Sequence, residues 1–274
     1  MKPSRFTYRR AASVADAIAL LAVAPDETSA IAGGQSLGPL LNLRMTTAAT
    51  LIDLAAISEL RDSRDLGDAV FIGAGVTHAK IEDGKIPDPA HGLMRRAAAK
   101  IAYRAIRCHG TIGGSVAMAD PAADWPCILL ALRATARVAG PQGERRVAMD
   151  DLLVAAYETS LAPGEIILGF DIPKLDAKAR AASSKINRKT GAFADSLAVA
   201  VRNGARSCVT LGAAAARACV LPQASAALAR GEGMDALRPL VASDVAALLP
   251  APDAYLQNLH ATNVMRTLAE VLGA

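Results

Sequence analysis

Short apolar runs separated by glycine, proline and polar clusters divide the first 175 residues into alternating strand and helix signals. Residues 6–8 predict an edge strand, and Ser13 ahead of the 3.6-residue apolar spacing of 14–21 predicts a capped helix that ends before Pro25. Strands are expected at 29–32 and 50–54, with a short helix at 39–43 between them. The run 69–76 predicts a strand entering Gly73-Ala74-Gly75, after which Thr77 is placed to cap a helix, and 89–101 predicts an alanine-rich helix whose Arg95, Arg96 and Lys100 form a solvated face. Segments 134–138 and 144–148 read as a hairpin turning through Gly140-Pro141-Gln142-Gly143. A short helix opens at Asp150-Asp151, and a turn at 161–165 leads into a strand at 166–172. Residues 173–179 then read as a linker.

Beyond the linker the pattern changes. Three strands are expected at 183–188, 196–202 and 207–215, the last two joined by the hairpin signal Asn203-Gly204. Helices from Leu221, Gly233 and Pro252 carry apolar spacing suited to a layer over that three-stranded sheet. The expected fold class is α+β: one domain over 1–175, in lobes of about 1–55 and 56–175, and a second over 180–274.

Two glycine-rich stretches carry the candidate chemistry. In 109–126, HGTIGGSVAMADPAADWP, Gly110, Gly113 and Gly114 lack Cβ, so positive φ and close approach of backbone N–H groups to a ligand are expected. Thr111 and Ser115 add hydroxyl donors, and a helix starting after Ser115 would turn its positive end toward an anion. Asp120-Pro121 reads as a turn, and Asp124 as the N-cap of the apolar run 125–132. In 31–44, IAGGQSLGPLLNLR, a strand again meets two glycines, an amide, a hydroxyl and a helical turn. Two such loops suit a dinucleotide whose diphosphate lies between them. Gly73-Ala74-Gly75 lacks the third glycine of a Rossmann fingerprint, His78 standing in its place, and reads as a strand-end turn.

Composition narrows the classes. Aromatics are 3% and the cations behind the net charge of +4 are scattered, which argues against nucleic acid. Apolar residues are 52%, yet no uninterrupted run is long enough to span a bilayer, and the basic N-terminus has no signal-peptide core; a cytoplasmic location is the expectation. Cys108, Cys127, Cys208 and Cys219 are widely spaced and read as free thiols, and the four histidines show no ligand spacing, so no metal or iron–sulfur site is expected in this chain.

With both loops in view, the chain resembles the FAD-binding medium subunit of the molybdenum hydroxylases, a family that includes carbon monoxide and N-heterocycle dehydrogenases and whose flavin domain recurs in xanthine dehydrogenase. The motifs that carry the resemblance are AGGQSLGPLLNLR at 32–44, TIGGSVAMADPAADWP at 111–126, LAPGEIILGFDIP at 161–173 and KINRKTGAFADSLAVAV from Lys185. The resemblance implies a two-lobed FAD-binding domain of the PCMH type, followed by a C-terminal domain with a three-stranded antiparallel sheet and helices. It also implies that Ala32, Gly33, Gly34, Gln35 and Ser36, with Thr111, Ile112, Gly113, Gly114 and Ser115, contact the diphosphate, and that Asp124 bonds polar groups of the cofactor. Leu161 and Lys185 match positions near the flavin ring or the adenine end. Gln35 stands where some flavoproteins of the wider fold carry a flavin-linked histidine, so FAD is expected to be non-covalent. Met118, Trp125 and Ala192 depart from the residues usual at their positions.

By the same resemblance the chain is an oxidoreductase subunit without a catalytic side chain of its own. Electrons would come from a small subunit with two 2Fe–2S clusters, the substrate being oxidised on a molybdopterin-containing large subunit, in a dimer of heterotrimers. A stand-alone flavin reductase or oxidase, turning over alone with NAD(P)H, is the alternative; a nucleotide-binding scaffold without redox activity is a third reading.

Overall fold

The computed structural model describes residues 2–249, 251 and 253–274. The N-terminal lobe comprises β1 (Thr7–Arg10), α1 (Val14–Ala22), β2 (Thr28–Ile31), α2 (Leu37–Asn42) and β3 (Thr50–Asp53). Ser13 caps α1 as expected, its Oγ accepting from the Asp16 amide at 3.1 Å. The strands are all parallel in the order β1-β3-β2. A parallel sheet places every strand's C-terminal end on one edge, so the glycine loop after β2 lies at the edge where α/β sheets open toward ligands.

The second lobe begins with β4 (Ser63–Asp65), β5 (Ala69–Gly73), α3 (His78–Glu82), α4 (Leu93–Ala98), α5 (Arg104–Arg107), α6 (Ile112–Met118) and α7 (Asp124–Ala131). It continues with β6 (Thr135–Gly140), β7 (Gly143–Ala148), α8 (Met149–Leu152), β8 (Leu153–Ala155), β9 (Glu158–Thr159) and β10 (Ile166–Pro173). Its sheet runs β4-β5-β10-β6-β7 and is antiparallel throughout. Period-2 alternation turns Val70, Ile72, Phe170 and Ile172 inward to a core filled by α7, every residue of which is buried. On the other face, Ile166 and Leu60 pack with Ala17 and Leu21 of α1, which joins the two lobes. The helix expected over 89–101 is confined to Leu93–Ala98, entered through Gly92 at φ +79.

The C-terminal part holds β11 (Arg180–Ile186), β12 (Ser196–Arg202), β13 (Cys208–Gly212), β14 (Cys219–Val220), α9 (Pro222–Ala229), α10 (Met234–Leu248) and α11 (Ala254–Leu272). Its antiparallel sheet has four strands, not the three expected: the two-residue β14 adds to the edge at Thr210 and Leu211. Such a strand is too short to show periodicity. The hairpin at Asn203-Gly204 and the three helices stand where they were expected, α11 being capped by Asp253; the anticipated start at Pro252 lies outside the described residues. Leu197, Val199 and Val201 of β12 face α7 and share its core, whereas Ala198 and Ala200 face α9, α10 and α11. The sheet is therefore a wall between the second lobe and the helical layer.

Candidate functional site

The two glycine loops meet. Gly33, which follows β2, lies against the carbonyl of His109 at the start of the other loop; a Cβ on Gly33 would stand 2.0 Å from that oxygen and 3.0 Å from Gly110 Cα. No residue with a side chain fits there without separating the loops. Gly34 turns the chain at φ +69, the left-handed region that glycine enters without penalty. Gln35 braces the bend by donating from Nε2 to the Gly33 carbonyl at 2.8 Å. Among the described residues the backbone amides of Gly33, Gly34, Gln35 and Ser36 reach no protein acceptor, so this loop offers a row of free donors. The Ser36 hydroxyl, exposed before α2, makes no cap bond.

The second loop is built differently from the sequence expectation. Its helix begins at Ile112 rather than after Ser115, with Thr111 as N-cap accepting from the Gly114 amide at 3.1 Å. Gly110, Gly113 and Gly114 do not take positive φ. They are glycines because of crowding: a Cβ on Gly113 would lie 2.3 Å from Ala74 Cβ, and one on Gly110 2.8 Å from His78 Nε2. Ile112 and Gly113 donate to the Val76 and Ala74 carbonyls at 3.0 and 2.9 Å, and Ser115 donates to the Thr111 carbonyl. With these amides engaged inside the protein, the donors left to this loop are the Thr111 amide, which reaches no protein acceptor among the described residues, and the Thr111 and Ser115 hydroxyls.

Gly73-Ala74-Gly75 is a strand-end turn, as expected, and Thr77 caps α3. It has a further role that sequence reading missed: Ala74, Val76 and Thr77 form the bed on which the second loop rests, with Thr77 bridged to Thr111 and the His78 amide donating to the Gly110 carbonyl at 3.0 Å. His78 Nδ1 accepts from Trp125 Nε1 at 2.9 Å in the core. Burial, with the Arg107 guanidinium adding to it, lowers the His78 pKa to about 4, so the ring is neutral and its proton sits on Nε2. Arg107 itself is nearly buried, forked onto both Glu82 oxygens at 2.8 Å and donating to the Ile101 and Ala102 carbonyls.

Asp124 is not the N-cap of α7; Ala123 holds that position, and Asp124 lies in the first turn. Its carboxylate instead accepts from Lys185 Nζ of β11 at 2.9 Å, with side-chain exposures of 7% and 6%. Removal from water raises the Asp124 pKa, and the neighbouring Lys185 ammonium opposes that shift. The pair ties the C-terminal sheet to the helix that follows the second loop. Nearby, the Ala213 amide donates to the Pro121 carbonyl at 2.9 Å, seating the end of β13 over the Asp120-Pro121 turn. Leu161, half-buried, packs against the edge of the same core. Met118 is half-buried in the last turn of α6, and Ala192 offers its carbonyl to Asn187 Nδ2 at 3.2 Å; nothing in the structure explains either departure.

An αβ lobe whose loop presents free amides lies against a hydroxyl-bearing loop of a second lobe, an arrangement of donors that suits a diphosphate. The chain belongs to the family described as the FAD binding domain in molybdopterin dehydrogenase, whose model matches residues 4–175. It is 37% identical to the 6-hydroxypseudooxynicotine dehydrogenase complex subunit alpha of Paenarthrobacter nicotinovorans, covering 98% of this chain and 94% of that one. It is also 37% identical to the carbon monoxide dehydrogenase medium chain of Afipia carboxidovorans, over 73% and 70% of the two chains. Among solved structures it superposes on the carbon monoxide dehydrogenase of Hydrogenophaga pseudoflava with a TM-score of 0.94 at 31% identity, covering 100% of this chain and 99% of that one. The residues present fit FAD: the free amides of 33–36 and the adjoining hydroxyls suit a diphosphate, and the Asp124–Lys185 pair supplies polar groups in a dry setting.

Proposed function

We propose that this chain is the electron-transfer subunit of a molybdenum-containing hydroxylase or dehydrogenase. FAD, when bound, would supply two-electron redox chemistry between 2Fe–2S clusters on a small partner subunit and an external acceptor. The protein's part is to hold and shield. Amides of Gly33, Gly34, Gln35 and Ser36 donate to diphosphate oxygens while Gln35 keeps the bend rigid. Ala32 and Ile112 fix the backbone on either side, Gly113 and Gly114 allow the second loop to lie flat on its bed, and the Thr111 and Ser115 hydroxyls donate from across the gap. Asp124 and Lys185 bond polar groups of the cofactor, and Leu161 lends apolar surface near the ring. No side chain acts as general base or nucleophile.

The observation that supports this reading is the contact of Gly33 with the His109 carbonyl, which brings the two loops together. Relatives named as subunit alpha of a complex and as a medium chain support an assembly with partner subunits; in this reading they are a molybdopterin-containing large subunit and a 2Fe–2S small subunit, in a dimer of heterotrimers in the cytoplasm. Among the described residues, no helix is long and apolar enough to cross a membrane. The test is purification of a tagged chain from its own host. Co-purification with a molybdenum-containing chain and an iron–sulfur chain, and FAD released intact on denaturation, is the expected result. A chain that purifies alone and turns over NAD(P)H with a small substrate would overturn it.

A further inference from the structure

Behind the strand that presents Lys185 lies a second polar cluster with no part in the site described so far. Alternation along β11 sends Lys185 toward Asp124 and its neighbours Ser184 and Ile186 to the opposite face of the sheet, where α11 packs. On that face Asn263 of α11 is fully buried, and its Nδ2 donates both to the Ser184 carbonyl at 3.1 Å and to Ser196 Oγ at 3.0 Å. Ser196, also fully buried, is the register partner of Ile186, and its Oγ lies 2.9 Å from His260 Nδ1. These contacts bracket Lys185 in sequence and across the ladder. Asn263 is held in turn from within its helix, where Thr267 Oγ donates to its carbonyl at 2.9 Å.

An apolar residue would serve better if the only need were to glue α11 to the sheet. The Asn263 Oδ1 atom is buried with no partner among the described residues, a cost an alanine or leucine would not carry. What the amide adds is direction: a hydrogen bond to one particular carbonyl sets the height of β11 at one residue, and the Ser196 bond fixes β12 beside it. The neighbouring α11 side chains Val264 and Leu268 pack on the same sheet without such specificity.

We propose that Asn263, working with Ser196 and His260, is a positioning residue that sets Lys185 against Asp124 from behind the sheet. This rests on the reading of Lys185 as a cofactor-binding residue. Asn263 touches neither cofactor nor Lys185 Nζ; it acts through the backbone of 184–186.

The experiment is a double-mutant cycle on FAD affinity, titrating the flavin-free protein with FAD. Asn263→Ala and Lys185→Met are each expected to weaken binding roughly tenfold, and the double variant to bind no more weakly than Lys185→Met alone, because the two residues act as one unit. Leu268→Ala, which loosens the same helix without touching β11 polar groups, is expected to lower stability and leave FAD affinity unchanged. Additive losses in the double variant, or an equal loss of affinity in Leu268→Ala, would overturn the proposal. Asn263→Ser replaces Asn263→Ala if the latter does not fold. If Lys185→Met leaves FAD affinity unchanged, the cofactor role of Lys185 fails, and a flavin-free measurement decides the positioning. That measurement is the Asp124–Lys185 coupling from urea unfolding, in the wild type and in Asn263→Ala. Loss of the coupling supports the proposal, and an unchanged coupling overturns it.

Discussion

The backbone of Gly33 and the carbonyl of His109 are in direct contact across two lobes, with 2.0 Å separating that oxygen from where a Cβ would stand on residue 33. Since the crowding atom is backbone rather than a flexible side chain, Gly33→Ala must push the loops apart. The expected loss of stability is about 1–3 kcal/mol, as for overpacked sites, and FAD affinity should fall at least about tenfold. Gly38→Ala, in the same segment but with nothing within 4 Å of its Cβ, should change neither. Equal FAD titrations for wild type and Gly33→Ala would show that the contact does not shape the site.

The Asp124–Lys185 pair gives a prediction about stability. Removing one partner leaves the other charge buried and alone, which costs about 3–5 kcal/mol, whereas replacing both with apolar residues of similar size removes the penalty. Urea unfolding should therefore rank Asp124→Leu and Lys185→Met each below the double variant. FAD binding should follow the opposite logic, with the double variant binding weakly despite its recovered stability. A double variant less stable than both singles would contradict the buried-pair account.

His78 predicts a pH dependence. Its folded pKa of about 4 lies below the ordinary 6.5, so the unfolded chain binds the extra proton first. The contribution to stability is complete above pH 6.5 and is lost as pH falls toward 4, in total about 3 kcal/mol. His260, also lowered by burial, adds in the same direction. Trp125 is the only tryptophan, so its emission reports the hydrogen bond to His78 directly. In His78→Gln, which still offers an acceptor, stability between pH 6.5 and 4 should flatten relative to wild type. An unchanged slope would show that His78 does not titrate as described.

The thiols separate by burial. Cys127 is enclosed, with Thr210 Oγ at 3.3 Å, and desolvation pushes its pKa up to about 12, while Cys108 is exposed. A thiol reagent at neutral pH should modify Cys108 in the native chain and Cys127 only on unfolding. Modification of native Cys127 at a comparable rate would show that α7 does not seal this part of the core.

Local chemistry was readable in the sequence wherever the partner lay within a few residues. Ser13 and Thr77 cap the helices they precede, and Gly140 to Gly143 and Asn203-Gly204 turn the hairpins their composition requires. The two candidate loops stood out by their glycines and hydroxyls, whereas Leu161 and Lys185 entered only through the family motifs. What could not be read depended on distance along the chain. Asp124, followed by apolar residues, has every local mark of an N-cap, but Lys185, 61 residues on, takes its carboxylate. Positive φ was expected of the second glycine pair, because its packing against Ala74 leaves no trace in its own segment. His78 and Trp125, 47 residues apart, gave no sign of their bond; a buried indole needs an acceptor, and that need was the one available signal.

The most direct test of the central claim, that two loops grip one diphosphate, is a calorimetric titration of the flavin-free protein with FAD and, separately, with FMN, which lacks the second phosphate and the adenosine. The account predicts saturable, non-covalent binding of one FAD per chain and FMN binding weaker by at least about a hundredfold. Equal affinity for the two, or no saturable binding of FAD, would contradict it.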